Sequence, residues 1–245
     1  MNQRLERTTV GDIVAADFRA AAIFEDFGID FCCGGQRSVV DACRTASADP
    51  DEVMRAIDAL GTPDPADDDA RHWTLDRLID HIVVKHHGYV RQALPAIARH
   101  LAKLQQVHGE RHPELARVAS IFGDVSDELS QHLIKEEQVL FPYIRDLAGR
   151  EKQSCGGAMS PFGTIENPIR MMEREHQDAG DALDEIRDLT SGYATPGDGC
   201  TTYAVAMTEL LHFERDLHRH IHLENNILFP RAVALENGPW DDDRH

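Results

Sequence analysis

His132-Leu-Ile-Lys-Glu136-Glu-Gln-Val-Leu140-Phe141-Pro142 recurs 88 positions later as His220-Ile-His-Leu-Glu224-Asn-Asn-Ile-Leu228-Phe229-Pro230. Both stretches read H-x-x-x-E-x-x-x-L-F-P. Five shared identities at matched positions point to an internal repeat of helical hairpins. Residues i and i+4 lie one above the other on a helix, so each His/Glu pair presents two ligating groups to one point.

The flanking sequence tests whether that face turns inward. Through the second segment the apolar seam runs Val118, Phe122, Val125, Leu129, His132, Glu136, Val139; through the fourth it runs Ala206, Leu210, Phe213, Leu217, His220, Glu224, Ile227. Alternating steps of four and three are the pattern of a four-helix bundle. A carboxylate in such a seam is costly unless it is paired or bound to metal.

Two further segments complete the bundle. One gives Val83, His87, Val90, Leu94, Ile97, Leu101, Leu104; the other gives Ile165, Ile169, Met172, His176, Ala179, Leu183, Ile186. His87 precedes His132 by 45 positions and His176 precedes His220 by 44, so each hairpin supplies one histidine and one His/Glu pair. His86 sits on an adjacent stripe that periodicity alone does not exclude; the repeat spacing favours His87. His81, His100, His112, His212, His218 and His222 fall off the seam and read as surface or supporting groups.

The chain has 245 residues, 14 of them histidine, and a net charge of −18. The acidity disfavours nucleic acid and anionic membranes, both of which call for basic surfaces. No apolar run approaches the length of a membrane span, and Met1-Asn-Gln-Arg-Leu-Glu-Arg7 is not followed by an apolar signal region. Five cysteines, odd in number and poorly spaced for a disulfide framework, fit a reducing compartment. A cytoplasmic protein is expected.

The segments near 73–107, 113–147, 166–190 and 201–235 are long and amphipathic, with almost no strand-like alternation. The fold class is all-α: a four-helix bundle preceded by a small helical N-terminal domain. Pro95 is expected to kink the first long helix. The expected organisation is a Cys-Cys-Gly-Gly domain over 1–62, a linker over 63–71, the bundle over 72–236 and a tail over 237–245. Within the first domain, 9–27 reads as one helix stopped at Gly28, followed by short helices near 38–45 and 50–60. Asp49 caps the last of these and Pro50 begins it.

Four imidazoles and two carboxylates exceed the needs of one tetrahedral zinc. Two metals sharing Glu136 and Glu224 would each take two histidines and two carboxylate oxygens. An oxo or hydroxo bridge would leave an open position on each, and the donor set suits iron or manganese.

With these residues in view, 73–235 resembles a hemerythrin-like di-iron domain. Together with Asp30-Phe31-Cys32-Cys33-Gly34-Gly35, the whole chain resembles the Repair of Iron Centers family of iron–sulfur cluster repair proteins. Asp80-His81-Ile82, Lys135-Glu136-Glu137-Gln138, Met172-Glu173-Arg174-Glu175-His176 and Leu223-Glu224-Asn225-Asn226 extend the match. The resemblance implies a cytosolic protein that restores clusters damaged by nitric oxide or oxidants. It implies two iron ions on His87, His132, Glu136, His176, His220 and Glu224, and damaged iron–sulfur proteins as partners. The fifth histidine and aspartate of oxygen-carrying hemerythrins have no matched position, which disfavours reversible oxygen carriage.

Three activities share these residues: repair by iron supply, reduction of nitric oxide to nitrous oxide, and sensing of nitric oxide or O2. Cys32 and Cys33 are the candidate thiol pair, read as accessible and able to exchange iron or electrons, against incidental cysteines in a turn. Cys43, Cys155 and Cys200 read as unremarkable. Glu175, beside His176, and His108, in its loop, read as supporting or proton-handling groups, against the plainer reading of an ordinary solvated face. A homodimer is compatible with the sequence, which does not itself indicate one.

Overall fold

The computed structural model describes residues 7–61, 69–151 and 162–238. Most of the linker, the Cys155 stretch and the tail from 239 onward therefore lie outside the described residues. Within them the chain is all-α; the only β-type pairing is an isolated bridge between Thr9 and Ser38. No described helix is long and apolar enough to cross a membrane.

The N-terminal helices are α1 (Val10–Ala16), α2 (Ala20–Asp26), α3 (Val39–Ala46) and α4 (Pro50–Asp58). The single helix expected over 9–27 is broken at Asp17, whose carboxylate accepts from the backbone and guanidinium N–H groups of Arg19. This competing local partner ends α1 and starts α2. Caps fix the other starts: Thr9 and Asp12 make a reciprocal capping box on α1, Ser38 caps α3, and Asp49 caps α4 ahead of Pro50. Gly28, at φ +66°, ends α2.

Four long helical runs complete the described chain. The first is α5 (Leu75–His81), a π-helical turn (Ile82–His87) and α6 (Gly88–His108), which continues through Pro95 without a break. The second is α7 (Glu114–Lys135), a π turn (Glu136–Leu140) and α8 (Phe141–Glu151). The third is α9 (Glu166–Leu189). The fourth is α10 (Thr201–Leu223), a π turn (Glu224–Leu228) and α11 (Phe229–Asn237).

The π turns correct the seams. Each adds a residue to its turn and rotates the downstream helix by about 100°. Val139, expected inside, is 46% exposed, and Leu140 takes its place in the core. Val83 is half-buried, while Ile82 is buried.

The described residues form two compact units. One comprises Asp80–Ile144 and Asn167–His220, and so holds most of the four long runs. Its core includes Leu94, Ile97, Leu101, Phe122, Leu129, Leu183, Leu210 and Leu217, with Phe122 edge-on to Phe213 at 5.5 Å. The other takes in residues of Met1–Ile79, Arg145–Glu166 and Ile221–His245. There α1 packs on the Glu224–Leu228 turn, and Arg231 donates to the carbonyl oxygen of Trp73 at 2.8 Å.

Candidate metal centre

The heptad pattern places His87, His132, Glu136, His176 and His220 on the inner faces of their helices, and none is more than 1% exposed. His87 closes one π turn and Glu136 opens another. Glu224 opens the third, one turn beyond His220 on the same continuous run, and is fully buried. Isolated π turns inside α-helices are frequent at functional sites, because they turn side chains that a regular helix would misdirect.

Two groups of ligand atoms meet around Glu136. His87 Nε2 lies 3.2 Å from His220 Nε2 and 3.3 Å from Glu136 Oε2. His132 Nε2 lies 3.0 Å from His176 Nε2 and 3.4 Å from Glu136 Oε1. One carboxylate thus turns one oxygen to each histidine pair. Within each group the ligand atoms lie within 4.8 Å of one another.

The outer ring nitrogens define what the inner ones offer. His87 Nδ1 is 2.6 Å from Glu137 and His132 Nδ1 is 2.8 Å from Glu175. A carboxylate only accepts, so each Nδ1 carries a proton, and the ring's metal-binding lone pair is the one on Nε2, which faces inward. Adjacent ligands at right angles around a metal about 2.1 Å away stand about 3.0 Å apart. The nitrogen pairs match that spacing. The donor set, imidazole with carboxylate in a buried pocket, fits a transition metal such as iron.

The supporting carboxylates are anchored in turn. Arg91 donates to Glu137 at 2.7 Å, and Lys135 pairs with Glu175. Burial raises the Glu137 carboxyl, but hydrogen bonds from His87 and Arg91 outweigh it and leave it below the usual range. The hydrogen bond from His132, with Lys135 beside it, brings Glu175 down to about 2. Such partners fix the ring orientation of ligating histidines. Of the two readings of Glu175, the structure therefore shows the supporting one rather than the solvated one. Glu137 lies in a stretch that matches the family but has no periodicity to mark its role: one position past Glu136, it points toward a neighbouring helix, and only tertiary packing supplies His87.

His86 belongs to neither group. It is buried, its Nδ1 lies 3.1 Å from Asp216, and its ring stacks on that of His220 at 5.7 Å. His81, His100, His112 and His218 are half-buried and His212 is exposed, near the surface as expected. His222 is not at the surface: it is buried, with its ring 6.0 Å from those of Phe18 and Phe31.

The cysteine loop is held by Asp30, whose carboxylate accepts from the N–H groups of Cys32 (3.0 Å), Cys33 (2.9 Å) and Gly34 (2.8 Å). The sulfurs stand 3.8 Å apart, as two thiols. The expectation that both are accessible fails for Cys32, which is 5% exposed; Cys33 is half-buried. The physical reason is the backing of the loop by Asn225 and Asn226, which donate to the Cys32 carbonyl oxygen at 3.4 and 3.3 Å. The adjoining Cys33 thiol, burial and the Asp30 carboxylate push the Cys32 thiol well above the ordinary range. Asp30, Cys32 and Cys33 place ligand atoms within 4.8 Å of one another. Gly35 is required here: a Cβ would stand 2.4 Å from Asn226 Oδ1 and 2.6 Å from the Phe31 carbonyl oxygen.

Comparison with known proteins bears on both parts of the chain. Residues 78–232 match the hemerythrin HHE cation binding domain, and residues 6–61 match the ScdA_N domain, a domain of unknown function. The chain is 35% identical to proteins named iron-sulfur cluster repair protein YtfE from Enterobacter sp. (strain 638) and Dickeya chrysanthemi (strain Ech1591). Each alignment covers 93% of this chain and 97% of the relative. A protein of the same name from Yersinia pestis is 34% identical over the same shares. The chain therefore belongs to the hemerythrin HHE family and, by its near-full-length identity, to the family of iron-sulfur cluster repair proteins.

Proposed function

We propose that this chain is a cytoplasmic non-haem di-iron protein that repairs iron–sulfur clusters damaged by nitrosative or oxidative stress, by supplying iron to them. The observation that carries the reading is Glu136, with Oε2 at the His87 pair and Oε1 at the His132 pair. His87 and His220 would hold one iron, and His132 and His176 the other. Glu136 and Glu224 would join them, alongside an oxo or hydroxo bridge. The repair activity named for its relatives supports the same assignment.

Bound iron would supply redox and Lewis-acid chemistry with room for a small ligand such as nitric oxide or O2. The chain does the rest. Glu137 and Glu175 keep the Nε2 lone pairs turned inward, and burial excludes bulk water. Asp30, Cys32 and Cys33 form a second donor set through which iron would pass to a damaged client protein.

The test is iron content and repair together. Protein purified without oxygen should carry about two irons per chain and reactivate a nitric-oxide-damaged cluster enzyme. A variant carrying His132→Ala and His220→Ala should do neither. One zinc per chain would sink the di-iron assignment. Full repair by the double variant would sink iron supply. Multiple-turnover formation of nitrous oxide under reductant, without iron transfer, would move the assignment to nitric oxide reduction.

A further inference from the structure

Cys200 and His108 form a second chemical site within the bundle unit. α6 ends at His108, and Cys200 immediately precedes α10. His87 and His220 lie near the other ends of these same helices, about 30 Å away at 1.5 Å per residue. No local pattern joins the two residues, which are 92 positions apart. In the fold, His108 Nε2 stands 3.2 Å from Cys200 Sγ.

The two partners differ in exposure. Cys200 is exposed, whereas His108 is only 3% exposed and stands edge-on to Tyr203 at 5.5 Å. His108 Nδ1 is buried and has no hydrogen-bond partner among the described residues. The nearby charged groups are engaged elsewhere: His112 lies 2.9 Å from Glu114 and 3.0 Å from Asp198, and Arg111 pairs with Asp198 at 3.0 Å. Nothing among them competes for the sulfur.

A buried imidazole aimed at an exposed sulfur favours the thiolate, the nucleophilic form of cysteine. Its hydrogen bond, with those of the backbone N–H groups of Tyr203 and Thr202, brings the thiol down to about 7. A hydrolytic triad would need a carboxylate or amide on Nδ1 to orient the ring, and none of the described residues supplies one. The arrangement suits direct attack on a small electrophile rather than acyl transfer.

We infer that Cys200, with His108 as its base, is a peroxide-reactive thiol that is then capped by a low-molecular-weight thiol. The sulfur attacks one oxygen of hydrogen peroxide; an S–O bond forms and the O–O bond breaks. The departing hydroxide takes a proton from the His108 imidazolium and leaves as water. Sulfur loses the two electrons that the peroxide gains, giving the sulfenic acid. A small thiol such as glutathione then forms the S–S bond, and the sulfenic oxygen leaves as water with the thiol proton. This site does not depend on the cluster-repair assignment.

The test tracks each cysteine of the full-length, iron-loaded protein by peptide mass spectrometry. Iodoacetamide alkylation is measured from pH 5.5 to 9, and mixed-disulfide formation with peroxide and glutathione at pH 7. Cys200 should alkylate with a midpoint near pH 7 and carry the mixed disulfide. His108→Gln should move the midpoint toward the ordinary thiol value of about 8.5 and slow the pH 7 reaction about 15-fold. Cys200→Ser should abolish the adduct and leave iron content unchanged. A wild-type midpoint at the ordinary thiol value overturns the proposal, whether or not the histidine variant folds. An unmoved midpoint in a folded His108→Gln protein overturns it too.

Discussion

The side-chain amide of Asn226 donates to the carbonyl oxygens of Phe31 at 3.1 Å and Cys32 at 3.3 Å, two positions after Glu224 in the same π turn. The cysteine loop is thus tied to the helix that supplies a proposed iron ligand. Asn226→Ala removes these bonds and leaves buried carbonyl oxygens poorly satisfied, a loss of about 1–3 kcal/mol. The expected outcome is faster alkylation of Cys32 in the folded protein, with iron content largely kept. Unchanged Cys32 labelling would mean that Asn226 does not hold the loop closed.

Glu175 orients a proposed ligand from outside the cluster. Glu175→Gln keeps the shape but removes the charge that holds His132 Nδ1–H. Outer partners of this kind typically contribute about 10–100-fold in metal affinity. Iron should be lost to a chelator correspondingly faster, while an alanine at the exposed Glu166 leaves the rate unaltered. Equal rates for Glu175→Gln and the parent would show that His132 is oriented by packing alone.

The bundle is legible because its seams repeat: helical period and the doubled H-x-x-x-E motif together mark six buried positions. The features that sequence does not reveal have common causes. A π turn has no residue signature, so the seam puts Val139 inside although the extra residue turns it out. Glu137, Asp216 and Asn226 draw their importance from partners 50 to 195 positions away, which no local pattern reveals. The cysteine pair is visible as a pair, but its burial depends on Asn225 and Asn226 from the other end of the chain.

Glu214 is a test of structure without metal. It is fully buried on α10, faces Arg187 of α9 and accepts from the Tyr193 hydroxyl at 2.8 Å. Removing one member of a buried pair strands the other, typically at about 3–5 kcal/mol. Arg187 is partly exposed and can reach water, which puts Glu214→Ala toward the lower end of that range. Denaturant midpoints should fall while iron per folded chain stays constant.

His112 gives the bundle a pH-dependent contribution with a defined sign. Hydrogen bonds to Asp198 and then Glu114 raise its pKa above the ordinary imidazole value of 6.5. The folded state therefore holds the proton more tightly than the unfolded chain. That stabilisation is fully present below the unfolded pKa and fades as pH rises through the folded one. The melting-temperature difference between the parent and His112→Ala should be larger at pH 6 than at pH 9. A difference independent of pH would show that His112 acts through packing rather than charge.

Glu136 is the most demanding test of the centre, because it turns one carboxylate oxygen to each histidine pair. Glu136→Gln preserves volume but leaves one oxygen where two were offered, and an amide that binds metal weakly. If the carboxylate joins two irons, this one substitution should lower occupancy at both positions. His176→Ala removes a ligand from one group only and should spare the other iron. Iron content and Mössbauer spectra of the two variants, prepared identically without oxygen, make the comparison. Loss of only one iron in Glu136→Gln, matching His176→Ala, would mean that the carboxylate serves a single metal despite its position between the two groups.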